Sequence, residues 1–164
     1  MFVFGHIGIG RRLAQPWSHR LPAIPLIIGT LLPDLIDKPL YYARIWSYVS
    51  CTRTFGHTGI FLVGLAAAAV IARSRVVGAL AVGVATHLLL DGLMSAFGQE
   101  PQDSAWMALT WPFLHRTFAH HTFTTISSHL RSLFVTPIIA TEIVGLVLIG
   151  LELRAKWAGR GTTP

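Results

Sequence analysis

His87 and Asp91 stand four residues apart in Thr86-His87-Leu88-Leu89-Leu90-Asp91, inside the run Val76 to Phe97, which is otherwise apolar enough to cross a bilayer. Helical i, i+4 spacing places both side chains on one face. Ionisable groups inside a span are costly to insert and as a rule face a partner, a metal or a water-filled cavity. Imidazole and carboxylate are together the ligand types that hold zinc and similar divalent ions. The alternative is a hydrogen-bonded pair that packs two helices. His6, Asp34, Asp37 and His57 offer the same chemistry, each near the end of an apolar segment. They too have plainer readings: Asp34 after Pro33 as a turn or cap residue, Asp37 as a solvated partner of Lys38, His6 and His57 as interfacial histidines. Glu142, within Thr141-Glu142-Ile143, is expected first as the partner that orients a ligating histidine, otherwise as a ligand or a protonated helix contact. Arg53 and Lys38 flank these residues and suit an anion, since a guanidinium grips phosphate with two parallel bonds. His115, His120, His121 and His129 match no compact ligand motif and read as solvated or interfacial groups.

The elements that must position these residues are membrane segments. The chain of 164 residues is 52% hydrophobic and only 12% charged, with a mean hydropathy of +0.58, whereas a typical soluble domain carries roughly 25% charge. Its net charge of +6 comes from basic residues scattered singly or in pairs at the ends of apolar runs, not from a stripe that would grip nucleic acid. Cys51 is the only cysteine, which excludes an intrachain disulfide and a thiolate cluster. The first residues put apolar side chains ahead of Arg11 and Arg12, the reverse of a signal peptide, and no cleavage is expected.

Val76 to Phe97 and Ser132 to Leu153 are each long enough, at about 1.5 Å per residue, to cross a hydrocarbon core of roughly 30 Å. Phe55 to Ala72 is expected as a third span, joined to the next by a tight turn at Arg73-Ser74-Arg75. Met1 to Ile9 and Leu21 to Leu32, broken by glycines and prolines, are expected as short, tilted or re-entrant helices. The fold class is therefore all-α, a polytopic membrane bundle of about four to five segments. Residues 1–155 form a single integral-membrane helical domain and 156–164 a C-terminal tail. If five segments cross alternately, Arg11, Arg12, Arg20, Arg73, Arg75, Arg154, Lys156 and Arg160 share one side, which the distribution of basic residues makes cytoplasmic. The other side then receives the loops Asp37 to Thr54 and Gly98 to Arg131, with Tyr41, Tyr42, Trp46, Tyr48, Trp106 and Trp111 as an interfacial aromatic belt. The same threading carries His6, Asp34, Asp37, His57, His87 and Asp91 to the outward half, and helical bundles build metal sites from such convergent ligands.

The motifs Gly5-His6-Ile7-Gly8, Leu32-Pro33-Asp34-Leu35-Ile36-Asp37-Lys38-Pro39, Arg53-Thr54-Phe55-Gly56-His57-Thr58, His87-Leu88-Leu89-Leu90-Asp91 and Thr110-Trp111-Pro112-Phe113 occur in this order. Together they resemble the YdjM-like family of membrane-bound metal-dependent hydrolases, distantly similar to zinc-dependent phospholipase C and zinc nucleases. The resemblance runs from Met1 to about Phe113, with Glu142-Ile143-Val144-Gly145 similar to a late helix of relatives. It implies a first metal site from Asp34 or Asp37, His57, His87 and Asp91, and a second position near His6 that shares Asp91. The chain lacks the His-x-x-x-Glu pair of the soluble enzymes and the form Pro-Asp-x-Asp-His.

The expected function is a membrane-embedded, metal-dependent hydrolase of the cytoplasmic membrane, with zinc or a similar divalent ion at a site towards the outer face. A phosphoester of a lipid or membrane-associated molecule is the expected substrate, with Arg53 or Lys38 neutralising phosphate charge. The carboxylate of the pair Asp34 and Asp37 that binds no metal would act as general base. Membrane lipids are the expected partners and no nucleic acid is expected. The alternatives are a non-catalytic metal-binding membrane protein and a small transporter, the latter disfavoured by inner halves nearly bare of polar groups.

Overall fold

The apolar run that carries His87 and Asp91 folds as one helix, Arg75–Ala96 (α4), of 22 residues with a mean hydropathy of 1.8 over its most apolar stretch. By length and composition it is the one helix among the described residues able to cross a membrane. The computed structural model describes residues 3–17, 19–43, 51–96, 104–118 and 136–160. All regular structure among them is helical: α1 (Val3–Leu13), α2 (Ala23–Tyr42), α3 (Gly59–Ile71), α4, α5 (Ser104–Thr110) and α6 (Thr136–Arg160), with single 3-10 turns at Gln15–Trp17 and Phe55–His57.

Glycine contacts set how the long helices cross. A Cβ on Gly29 of α2 would lie 2.5 Å from the carbonyl oxygen of Leu80, and one on Gly83 of α4 would lie 2.5 Å from that of Leu26. Helices that gain little from apolar burial, as in lipid, associate through such close backbone approach. Leu26 clusters with Ala79, the Thr30 carbonyl meets His87 and Asp34 lies near the same histidine, so α2 and α4 run in the same direction. α1 runs opposite, with Gly10 against Thr30 and Thr86 and His6 stacked on His87. α6 follows α1 in parallel, from Phe4 and Gly145, through Gly8 and Gly145, to Arg11 and Glu152. The buried apolar clusters are small: Ala14, Leu26 and Ala79 at one end, Leu90, Met94 and Ile138 at the other. Large apolar side chains such as Val63, Ile71, Ile143 and Trp157 face outwards while histidines and aspartates lie inside, the inverse of a water-soluble fold.

Several elements depart from the sequence-based expectation. The segment expected to stop at Leu32 continues as the 20-residue α2, through Pro33 and Pro39. Each proline removes one ladder hydrogen bond. Packing against α4 offsets the loss, and Asp34 and Asp37 thereby sit three residues apart on a helix rather than in a turn. Phe55 to Ala72, expected as one span, divides instead. Gly56, whose Cβ would meet the Pro33 carbonyl at 2.8 Å, holds the chain in a 3-10 turn. Thr58 then caps α3, its hydroxyl accepting from the Phe61 amide at 3.1 Å. At 13 residues α3 is about 20 Å long, short of a roughly 30 Å core. α3 and α4 are joined by the expected tight turn, where Arg73 takes φ 47°. α6 extends through Arg160, into the segment expected to be a tail, while residues 132–135 lie outside the described residues. The long loop after α4 contains α5. There Trp111, expected in an interfacial belt, packs edge-on to Phe55 and stacks on Phe118 at 5.3 Å. Trp46 and Tyr48 lie outside the described residues.

Candidate metal centre

Four elements deliver the polar residues to one end of the bundle. Asp37 of α2 is fully buried and accepts three hydrogen bonds from the turn beside it. Its Oδ2 takes the Thr54 amide at 2.6 Å and His57 Nδ1 at 2.7 Å, and its Oδ1 takes the Gly56 amide at 2.9 Å. One carboxylate thus shapes the turn and aims the imidazole it carries. His87 of α4 is aimed the same way, since its Nδ1 donates to the Thr30 carbonyl at 2.8 Å. A backbone carbonyl can only accept and Asp37 is already an acceptor twice over, so both Nδ1 atoms carry hydrogen. Both Nε2 atoms are then left as lone-pair donors in the neutral rings, and they face each other at 3.1 Å.

Two more carboxylates close around this pair. Asp91 Oδ2 lies 3.6 Å from His57 Nε2 and 3.7 Å from His87 Nε2. Asp34 Oδ1 lies 3.7 Å from His57 Nε2. Ligands bound tetrahedrally at zinc-like bond lengths stand roughly 3.3 Å apart, and the observed separations of 3.1 to 3.7 Å bracket that value. His57, His87 and Asp91 lie close enough together to hold an ion, and so do His6, Asp34 and His87. His87 has a single uncommitted nitrogen and serves one ion at a time. His6 lies buried, stacked on His87 at 3.9 Å between ring centroids and with Nε2 3.6 Å from Asp91 Oδ1. Neither of its ring nitrogens has a hydrogen-bond partner, a costly state for a buried polar group. Donor set, spacing and the unsatisfied imidazole all fit a divalent cation.

The cations expected to meet an anion are tied to carboxylates of the cluster. Arg53 Nε donates to Asp91 Oδ2 at 2.7 Å, and Lys38 Nζ to Asp34 Oδ2 at 2.6 Å. Among the described residues, the three carboxylates Asp34, Asp37 and Asp91 face two fixed cations, an excess of one negative charge. Asp34 and Lys38, with side chains 18% and 32% exposed, form the open edge of an otherwise buried cluster.

Two of the expected site residues make specific contacts elsewhere. Asp37, expected among the ligands and as a possible base, bonds His57 Nδ1 and the Thr54 and Gly56 amides. Among the described residues Glu142 bonds no histidine: from α6 it accepts the Phe4 and Gly5 amides, each at 2.9 Å, and so satisfies orphan donors in the first turn of α1. Thr30, Thr54 and Gly56 act through backbone groups, and beyond the motif that sets Thr54 and Gly56 beside His57 the sequence carries no sign of these contacts. His115 is exposed, and His120, His121 and His129 lie outside the described residues.

No curated protein and no solved structure matches the chain. A family model described as YdjM inner membrane protein matches residues 1–160. With nearly the whole length covered, the chain belongs to the YdjM inner membrane protein family.

Proposed function

We propose that this protein is a polytopic inner-membrane hydrolase that uses a divalent ion, zinc or a similar metal, to cleave a phosphoester at a membrane surface. The observation that carries the reading is the facing pair of Nε2 atoms of His57 and His87, 3.1 Å apart with both Nδ1 atoms committed elsewhere. Two lone pairs so placed repel unless a cation lies between them. His57, His87 and Asp91 would hold the ion, with His6 beside them and Asp34 at the open side. When bound, a divalent ion supplies Lewis acidity to a phosphoryl oxygen and acidifies water towards a pKa of about 7. Asp34, at the open edge, is placed to take a proton from an attacking water at Oδ1 while Oδ2 stays on Lys38. Lys38 offers its remaining donors to a phosphoryl oxygen, and Arg53 keeps Asp91 oriented.

The alternating helix directions support a bundle whose basic end, with Arg11, Arg12, Arg73 and Arg75, faces the cytoplasm. The histidine end then faces outwards, where a lipid headgroup is within reach. A second reading rests on the ion pairs: because Asp34 and Asp91 each have a cation partner, a proton shared between His57 and His87 would also balance the charge. Such a site would be structural.

Metal analysis of the detergent-purified protein beside His57→Ala and His87→Ala variants separates these readings. Stoichiometric metal in the wild type that is lost from both variants is expected, followed by chelator-sensitive hydrolysis of a phospholipid or a soluble phosphodiester. Equally low metal in all three under metal-replete conditions would overturn the metal centre. Bound metal with no turnover on any phosphoester would leave a binding protein and no hydrolase.

A further inference from the structure

At the end of the bundle remote from the histidines, α1, α2 and α6 line an open cavity of about 610 Å³, within the roughly 300–1,000 Å³ typical of ligand pockets. Its wall divides by chemistry. Leu21, Leu26, Leu148 and Leu151 make an apolar side. Arg11, Arg12, Lys156 and Glu152 make a charged rim. Glu152 Oε1 is shared, accepting from Arg11 Nη2 and from Lys156 Nζ, the latter at 2.8 Å. Three cations around one carboxylate leave the rim with an excess of two positive charges.

A soluble anion has no use for the leucine wall, and a neutral lipid would leave the rim's charge unbalanced. An amphiphile with an anionic head and a hydrocarbon tail satisfies both. Basic pockets between membrane helices select anionic headgroups on this principle. Trp157, next to Lys156, and Trp17, just beyond Gln15 of the cavity wall, are exposed, the residue type that settles at headgroup depth. We propose that this cavity binds one anionic phospholipid, its phosphate at Arg12 and Lys156 and an acyl chain against the four leucines. The site shares no residue with the metal centre and stands whether or not that centre turns over a substrate.

Native mass spectrometry of the full chain, released from micelles doped with palmitoyl-oleoyl phosphatidylglycerol or the matching phosphatidylcholine, tests the proposal. One retained phosphatidylglycerol is expected, with phosphatidylcholine retained at least about tenfold less. The double variant Arg12→Gln/Lys156→Gln should weaken retention roughly 10- to 30-fold, at about a factor of five per cationic side chain. Leu148→Trp, which fills the apolar half and keeps every charge, should also lose the lipid. Arg154→Gln, on α6 but outside the cavity wall, should not. Circular dichroism melts of each variant confirm that it is folded. Equal retention of the two lipids, an unaffected double variant, or equal loss with Arg154→Gln would each overturn the assignment.

Discussion

His57 and His87 point their Nε2 atoms at each other across 3.1 Å, and each ring is held from behind by a group on α2: Asp37 for His57, the Thr30 carbonyl for His87. One helix thus sets the aim of two imidazoles that it does not itself carry. Because Thr30 acts through its backbone, only the Asp37 half of this support can be removed by substitution.

On the proposed metal reading, Asp37→Asn should therefore weaken metal binding through the aim of His57. An amide in place of the carboxylate cannot accept from Thr54, Gly56 and His57 without presenting its own N–H groups to one of them. Groups that orient a ligating histidine typically contribute 10- to 100-fold in affinity. Competition against a chromogenic chelator should show a loss in that range. An unchanged affinity would mean that the aim of His57 is set elsewhere.

The glycine crossings give a paired test. Gly83→Ala places a methyl 2.5 Å from the Leu26 carbonyl, and overpacking of that kind costs about 1–3 kcal/mol. Gly145→Ala, against the Phe4 carbonyl, should behave likewise. Gly64→Ala and Gly150→Ala meet nothing within 4 Å and should be neutral or stabilise by up to about 1 kcal/mol through helix propensity. Thermal melts in a fixed detergent should rank the four in that order.

Glu142→Gln should loosen α1 without emptying the metal centre. Two charge-assisted bonds to the Phe4 and Gly5 amides become neutral ones, and one must be lost or weakened, a cost of about 1–2 kcal/mol. Hydrogen exchange should quicken in the first turn of α1, while metal content stays at the wild-type level. A variant that loses metal outright would place Glu142 closer to the ligands than its contacts do.

Burial pushes the Cys51 thiol up to about 11, and the thiol donates to the Arg53 carbonyl at 2.9 Å. At pH 8 only about 0.1% of such a thiol is ionised, and alkylation proceeds through the thiolate. Iodoacetamide should react with the folded protein on the order of 100-fold more slowly than with the denatured chain. The sign of the linkage follows. Above pH ~9 the unfolded chain sheds this proton while the folded one keeps it, so stability falls as pH rises from there towards 11.

The site was legible where residue type clashes with setting. His87 and Asp91 are conspicuous in an apolar run, and Asp34 and His57 follow from threading that run through a bundle. The division of labour was hidden. Asp34 and Asp37 look equivalent in the sequence, and only the amides of Thr54 and Gly56, brought across from another element, separate them. Glu142 was noticed for the right reason, an acid among apolar residues, yet its partners lie 137 and 138 positions away and are backbone amides with no sequence signature. The prolines of α2 misled for a related reason: their local cost is visible in the sequence, and the packing against α4 that offsets it is not. The all-helical architecture could be read from hydropathy alone, because in a chain this apolar few other arrangements satisfy the backbone.

The contact between α1 and α6 joins residues 137 and 138 positions apart, and synthesis makes them at different times. His6 is made well before Glu142 and Gly145, which hold α1 in place. Chains fold from the N-terminal side as they are made, so His57, His87 and Asp91 can assemble while α1 still lacks its final support. The cluster is thus completed only once α6 has been made, and a chain cut short before residue 136 would carry His6, His57 and His87 without the means to seat the first.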